Sequence, residues 1–297
     1  MQSILLYGST GWIGGKLITI FEQSGFNIIK GIKRLDDDSI ITEIEETEFD
    51  YCVLCAGITR DPKNLNSNID WCEENVERTI DINVRCCVRL VKECNKKGKK
   101  VIYLGTGCIY EYTEYYPIPH PDWDGKDLGF YEDDIPNFDK STYSLSKIMF
   151  ENEVKDCDIL ILRIRMPIDY SRHPRNFITK ISRYEKVVNI PNSMSVLEDL
   201  LPLIPKMLHL NGKINFVNPG VISHNQILDL YREIVDKNFE YKNFTLEEQS
   251  KVIKAPRSNN ALNTNKLQEL FPEVPHVYES IIKVMNHLHQ SYNSSSL

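Results

Sequence analysis

No apolar stretch in the 297 residues reaches the roughly 20 residues that a membrane-spanning helix needs. The opening Met1-Gln-Ser also lacks the basic and apolar regions of a secretory leader. A cytoplasmic protein with no membrane partner is expected. Positive charge is not in excess: 35 Lys and Arg face 42 Asp and Glu, and the net of −7 argues against binding a nucleic-acid backbone. The eight cysteines form no disulfide framework. Several lie in apolar segments, as in Tyr51-Cys-Val-Leu-Cys55 and Cys86-Cys87, and read as reduced thiols. Cys52 and Cys55 make one C-x-x-C, but no second pair stands at zinc-ligand spacing, so core packing is the reading. The seven histidines show no metal-ligand spacing either, and no metal is expected. His224 reads as polar surface near a helix start. Internal repeats and low-complexity segments are absent.

What is present starts at the N-terminus. The apolar run Ile4-Leu-Leu-Tyr7 leads into Gly8-Ser9-Thr10-Gly11-Trp12-Ile13-Gly14, which opens a segment with helical patterning to Gln23. Strand, glycine turn and helix together suit a dinucleotide: Gly8 for the sharp turn, Gly11 for close approach of a pyrophosphate, Gly14 for tight helix–strand packing. The phosphates would sit at the positive end of the helix. A second strand, 27–33, ends in Lys33-Arg34, where an NAD enzyme usually carries Asp or Glu. The cationic pair suits the 2′-phosphate of NADPH, although Asp36-Asp37-Asp38 follow closely. A third strand ends in Ala56-Gly57, small enough for a cofactor ribose to approach. A polar loop covers 58–70, and one long helix is expected over 71–97, broken if anywhere near Asn83. The fourth strand ends at Thr106.

Strand–helix alternation through this half predicts an α/β fold: a Rossmann-type doubly wound parallel sheet with a smaller α/β C-terminal substrate-binding part. The division expected is an NADP-binding domain over 1–165, its sheet completed by 213–217, and a mainly nucleotide-sugar-binding part over 166–297. Residues 111–140 read as a loop covering a site. In the C-terminal part, helices are expected over 177–184, 196–208 (interrupted by Pro202 and Pro205), 223–235, 246–253, 264–270 and 278–289, a strand over 186–190, and a frayed tail over 291–297.

Tyr143 and Lys147 stand four apart at the start of a helix, hence on one face. With Thr106 they form a proton-handling set. A lysine ammonium and a nicotinamide ring favour the phenolate of a tyrosine whose free pKa is about 10. Thr106 can hydrogen-bond a substrate oxygen, and the set polarises a carbonyl for hydride addition.

These features resemble the extended short-chain dehydrogenase/reductase superfamily, and within it the nucleotide-rhamnose synthase/epimerase-reductase family. The likeness covers nearly the whole chain. It stands on Gly8–Gly15, Asp70-Trp-Cys-Glu73, Thr106-Gly-Cys-Ile-Tyr-Glu-Tyr112, Tyr143-Ser-Leu-Ser-Lys147, Arg165-Met-Pro167-Ile168, Pro174–Ile181, Val187–Met194, Asn218–Asn225 and Ala255–Asn260. The resemblance implies NADPH, a UDP-sugar substrate, cytoplasmic residence and a homodimer. The reaction it implies is conversion of UDP-4-keto-6-deoxy-D-glucose to UDP-L-rhamnose: epimerisation at C3 and C5, then reduction at C4, in one pocket. A 4,6-dehydratase on another protein would supply the keto sugar.

The same resemblance gives Cys108 and Lys180 the epimerisation roles; Cys108 follows Thr106 by two residues, as does the epimerising cysteine of the similar GDP-fucose synthase. For each, a packing or surface role is the alternative. Pro167 joins the cofactor candidates. Arg257 suits the pyrophosphate or a surface ion pair. Asn176 contacts sugar or phosphate, or caps a helix; Asn192 contacts base or ribose, or forms a turn; Trp71 and Glu73 line the sugar pocket or pack at a helix start. Two other functions stay open: a 4-reductase without epimerase activity, and a non-catalytic NADP-binding regulatory subunit.

Overall fold

A computed structural model describes residues 1–64 and 67–294. Residues 65 and 66 of the expected polar loop, and 295–297 of the expected tail, lie outside the described residues.

The centre is a six-stranded sheet in the order β2-β1-β3-β4-β5 followed by the strand Gly212–Asn215. Here β1 is Ser3–Tyr7, β2 Asn27–Lys30, β3 Tyr51–Leu54, β4 Lys100–Thr106 and β5 Ile159–Ile164. The first four run parallel, Leu5 opposite both Ile29 and Cys52, and Cys52 opposite Val101. Strands such as β1 and β5 are largely apolar runs (β5 is interrupted by Arg163) because helices cover both faces of a parallel sheet. Helices α1 (Trp12–Gln23), α2 (Ile40–Glu46), α3 (Asp70–Glu74), α4 (Val76–Ile80), α5 (Cys87–Lys96) and α6 (Thr142–Glu153) supply that cover. Leu5, Leu54, Val101, Leu90 and Phe150 belong to one buried cluster. The chain leaves β1 toward β2 on one side and reaches β3 on the other. The crevice at this reversal lies beyond the C-terminal ends of β1 and β3, where such sheets bind ligands.

The helix expected over 71–97 is instead three pieces: α3 is parted from α4 at Asn75, and α4 passes into α5 through a π-helical turn. Asn75 leaves helical geometry (φ −133, ψ 51), and its Nδ2 donates to Trp71 O at 2.9 Å. An amide side chain that satisfies a helix-end carbonyl competes with continuing the helix. The second irregularity is the π turn Asp81–Cys86 around Asn83, where a break was expected.

The chain forms two compact units. The first holds Met1–Ile109, Pro136–Arg163 and Leu201–Ile214; the second holds Tyr110–Ile135, Ile164–Leu200 and Asn215–Leu297. A cut at residue 165 therefore misassigns 110–135, which forms its bridge Phe130–Leu262 inside the second unit.

The second unit has its own core, in which Ile178, Ile181, Ile227, Ile281 and Met285 are buried together from three helices, α7 (Phe177–Ile181), His224–Ile234 and Val277–Ser294. Ser223 starts the middle helix with a reciprocal capping box to Gln226. The strand expected over 186–190 shrinks to Lys186–Val187, paired with Lys242–Asn243, a strand too short to show a period of two. The helix expected over 196–208 becomes Leu197–Leu200, a 3-10 turn Leu201–Leu203 and Ile204–Met207, because prolines 202 and 205 cannot donate into a ladder. The last helix continues past 289 to Ser294.

Candidate functional site

The glycine turn after β1 is sterically closed to side chains. A Cβ on Gly14 would lie 2.0 Å from Gly8 O, and one on Gly8, whose φ is +88, would lie 2.8 Å from Cys55 C. Gly8 O accepts from Gly11 N at 2.9 Å. Gly11 is the N-cap of α1 and has no side chain to cap it, and the first turn carries no acid. The helix thus presents N–H groups and a positive end beside Ser9, Thr10, Trp12 and Ile13. A dinucleotide pyrophosphate fits that cradle.

β2 ends at Lys30, short of the 27–33 expected, and in the loop after it Arg34 is exposed and pairs with Asp36 at 3.2 Å, while Asp36 is also held by Arg78 and Asp38 pairs with Arg89 at 2.6 Å. Two of the three acids are thereby paired with arginines, while Asp37 accepts from Ser39. Lys33 makes no ion pair among the described residues and is the less committed of the two cations.

After β3, Ala56 and Gly57 reach the switch point. A Cβ on Gly57 would meet Asn83 Oδ1 at 3.2 Å and Lys147 Nζ at 3.4 Å. Asn83 is fully buried; its Oδ1 accepts from Ile58 N at 2.7 Å, and its Nδ2 donates to Ile58 O at 2.9 Å and Ser146 Oγ at 3.2 Å. The π turn aims this amide at the loop after β3 and at α6 together, and π turns often mark functional positions.

The turn after β4 and the start of α6 are tied to each other. Thr106 Oγ1 accepts from Cys108 N at 3.1 Å, and Ser144 Oγ donates to Cys108 O at 2.6 Å. Ser141 caps α6 by accepting from Ser144 N. Glu73, from α3, grips the same helix end: Oε1 accepts from Thr142 N and Oε2 from Thr142 Oγ1, both at 2.8 Å. These bonds bring the strand end carrying Thr106 and Cys108 against the helical turn carrying Tyr143. Tyr143 and Cys108 are half-buried, Thr106 and Lys147 buried. Lys147 Nζ lies 5.6 Å from the Tyr143 ring centroid and donates to Tyr103 Oη at 2.6 Å. Burial pulls the Lys147 ammonium below its ordinary range.

The cysteines separate by environment. Burial pushes Cys55 and Cys87 up to about 12. Cys52 is fully buried, and Cys55 donates to Tyr7 O at 3.1 Å. Cys52 thus sits within the core of the first unit, and Cys55 is half-buried beside it. Among the described residues, no group of three or more His, Cys, Asp or Glu is placed to hold a metal.

The remaining candidates need adjustment. Glu73, read from sequence as sugar pocket or helix-start packing, holds the start of a different helix. Trp71 is half-buried in α3. In the second unit, Asn176 caps α7 through Ile178 N at 3.0 Å and donates Nδ2 to Asp169 O at 2.8 Å. Asn192 is fully buried, accepts from Arg165 Nη2 at 2.7 Å and Asn260 N at 3.0 Å, and donates to Asn259 Oδ1 at 2.9 Å. Both amides hold loops in place, in keeping with the cap and turn alternatives read from the sequence. Arg257 is half-buried, with Nη1 donating to Ala255 O at 2.6 Å. Lys180 stands in the last turn of α7. Pro167 follows Met166, whose φ of +39 is unusual for a non-glycine residue. His224 is not the polar surface residue expected: its Nε2 is sealed from solvent without a hydrogen-bond partner, and burial, with Arg165 nearby, lowers its pKa to about 4. Sequence reasoning also passed over Tyr103, a tyrosine within a strand, whose partner Lys147 is 44 residues away.

Known proteins match this arrangement over nearly the full length. An Arabidopsis thaliana protein named as a bifunctional dTDP-4-dehydrorhamnose 3,5-epimerase and reductase is 47% identical over 95% of this chain and 91% of its own. A trifunctional UDP-glucose 4,6-dehydratase/UDP-4-keto-6-deoxy-D-glucose 3,5-epimerase/UDP-4-keto-L-rhamnose-reductase of the same plant is 46% identical over 94% of this chain, which spans 41% of that longer protein. The crystal structure of a UDP-rhamnose synthase from Acanthamoeba polyphaga mimivirus superposes with a TM-score of 0.86 at 37% identity, covering 96% of this chain and 99% of that one. Residues 1–201, which include the glycine cradle and the Thr106–Cys108–Tyr143–Lys147 set, match the RmlD substrate binding domain family, and the chain belongs to that family.

Proposed function

We propose that the chain is a bifunctional NADPH-dependent enzyme that epimerises UDP-4-keto-6-deoxy-D-glucose at C3 and C5 and reduces the product at C4 to UDP-L-rhamnose. The observation that carries this reading is the joining of the Thr106–Cys108 turn to the Tyr143 helix through Ser144 Oγ and Cys108 O at 2.6 Å. It ties the turn that carries Thr106 and Cys108 to the helix that carries Tyr143 and Lys147. The names of the plant and viral relatives support the substrate class.

The chemistry follows from the keto group. Protons at C3 and C5 flank the C4 carbonyl, so removing one leaves an enolate on O4. Thr106 and Tyr143 donate hydrogen bonds to that oxygen, and a preorganised donor of this kind is worth roughly 10²–10³ in rate. Cys108 takes and returns the proton as thiolate. Lys180 is the second proton carrier that the resemblance assigns. The glycine cradle, with Lys33 and Arg34 for the 2′-phosphate, would hold NADPH, which would supply the hydride for C4. Tyr143 then gives its proton to O4, and the Lys147 ammonium offsets the phenolate that results. The enzyme acts in the cytoplasm as a homodimer, on a substrate made by 4,6-dehydration.

Incubation with UDP-4-keto-6-deoxy-D-glucose and NADPH, with the product stereochemistry read by NMR, tests the reading. UDP-L-rhamnose is expected. A 6-deoxy-D-sugar would make the chain a 4-reductase alone, and an unconsumed substrate would remove the enzymatic reading.

A further inference from the structure

Lys147 is a cation buried among mostly neutral groups. Around it stand the Tyr103 phenol of β4, the Cys87 thiol of α5 and the Cys72 thiol of α3, with Glu151 and Tyr143 on its own helix. Glu151 is turned to Arg163, its Oε1 accepting from Nε at 3.1 Å. The hydrogen bond of Lys147 Nζ runs to Tyr103 Oη at 2.6 Å. Tyr103 cannot easily leave: it is 1% exposed, and its ring lies 4.2 Å from that of Phe150. We propose that Tyr103 is a positioning residue for the reduction, its phenol oxygen holding the Lys147 ammonium charged and at the depth from which it acts on Tyr143. This rests on the reductase reading above.

The physical case is one of desolvation. A buried ammonium that lacks an acceptor gives up its proton rather than remain charged. Burial already draws Lys147 below 10.5, and an oxygen accepting from the charged form opposes that pull. Burial also pushes Tyr103 well above 10.0, so it remains a neutral phenol and never competes with Tyr143 for the proton. The two tyrosines divide the work. The half-buried one moves a proton, and the buried one keeps the nearby positive charge in place.

Tyr103→Phe keeps the ring and its packing on Phe150 and removes only the oxygen. Tyr143 ionisation is read in the unliganded protein as near-ultraviolet tyrosinate absorbance, by difference against the same protein carrying Tyr143→Phe. The expected result is a Tyr143 titration displaced upward by roughly one pH unit. With it, kcat for reduction should fall about tenfold at unchanged KM for the keto sugar. A Tyr143 titration that stays put in Tyr103→Phe overturns the inference, whatever happens to thermal stability. Should Tyr103→Phe not fold, the same titration is read in Tyr103→Gln, which retains an acceptor; a midpoint at or below the parent's supports the inference and one displaced upward overturns it. The titration needs no turnover. An inactive parent protein with a displaced titration would leave the hold of Tyr103 on the Lys147 charge standing and remove the reductase reading, and with it the role in reduction.

Discussion

Lys147 illustrates how a single residue carries a cost for function. Its folded pKa lies below the 10.5 of a free lysine. Between those values the unfolded chain binds the extra proton, so stability climbs with pH across that window, and below it the full desolvation penalty is present. Lys147→Met removes the penalty. It is expected to abolish reduction while raising stability by roughly 1–2 kcal/mol at neutral pH. The gain should shrink toward the ordinary lysine value, and denaturant titrations across pH measure it. Tyr143 and Lys147 were legible in sequence because the pair is local, four apart on one helix. Tyr103 was not, because a tyrosine in an apolar strand has the same signature whether its hydroxyl meets a lysine or a carbonyl. Lys33 and Arg34, which the sequence offers as partners of a 2′-phosphate, follow β2 closely. Their joint replacement by Ala should raise KM for NADPH about tenfold and leave that for NADH nearly unchanged, a contrast that steady-state kinetics with both cofactors reads directly.

Among the elements, α6 depends on a contact that sequence does not reveal. Its start is held by Ser141, local and readable as a cap, and by Glu73, which is 69 residues away from Thr142. Glu73→Ala removes a carboxylate from a helix N-terminus along with two hydrogen bonds. A loss of about 1–2 kcal/mol is expected, measured as a shift in denaturant midpoint. kcat for reduction should fall with it, since Tyr143 follows Thr142 directly. The glycine cradle, by contrast, was fully written in the sequence. Its three glycines follow a strand and open a helix, and the approach of Gly14 to Gly8 O is local, although Gly8 also packs against the Cys55 backbone of β3's end. The long helix before α5 fell between these cases. Asn83 signalled an irregularity, but Asn75 breaks the chain through a side-chain bond that an asparagine elsewhere in a helix need not make.

At the scale of the whole molecule, each unit has its own pH sensitivity. In the second unit, His224 has a folded pKa of about 4 against 6.5 for a free histidine. The unfolded chain binds more protons between the two, so stability present above pH 6.5 is lost as pH falls toward 4, by up to about 3 kcal/mol. Replacing His224 by Gln should flatten that slope, as thermal melts from pH 4 to 7 would show. Sequence placed His224 on the surface because a histidine after a capping serine is usually wet; the burial comes from the packing of the second unit. Alternating strands and helices made the parallel sheet legible, including the late strand near 213, whereas the assignment of 110–135 to the second unit rests on pairing with residues beyond 215. The central claim is that one site both moves protons at C3 and C5 and reduces C4. Its most direct test is incubation with UDP-4-keto-6-deoxy-D-glucose in deuterium oxide without NADPH, for the parent protein and for Cys108→Ala. Deuterium at C3 and C5 with the parent, and its loss with Cys108→Ala, is the expected result; a parent protein that reduces the sugar yet washes in no deuterium would contradict the account.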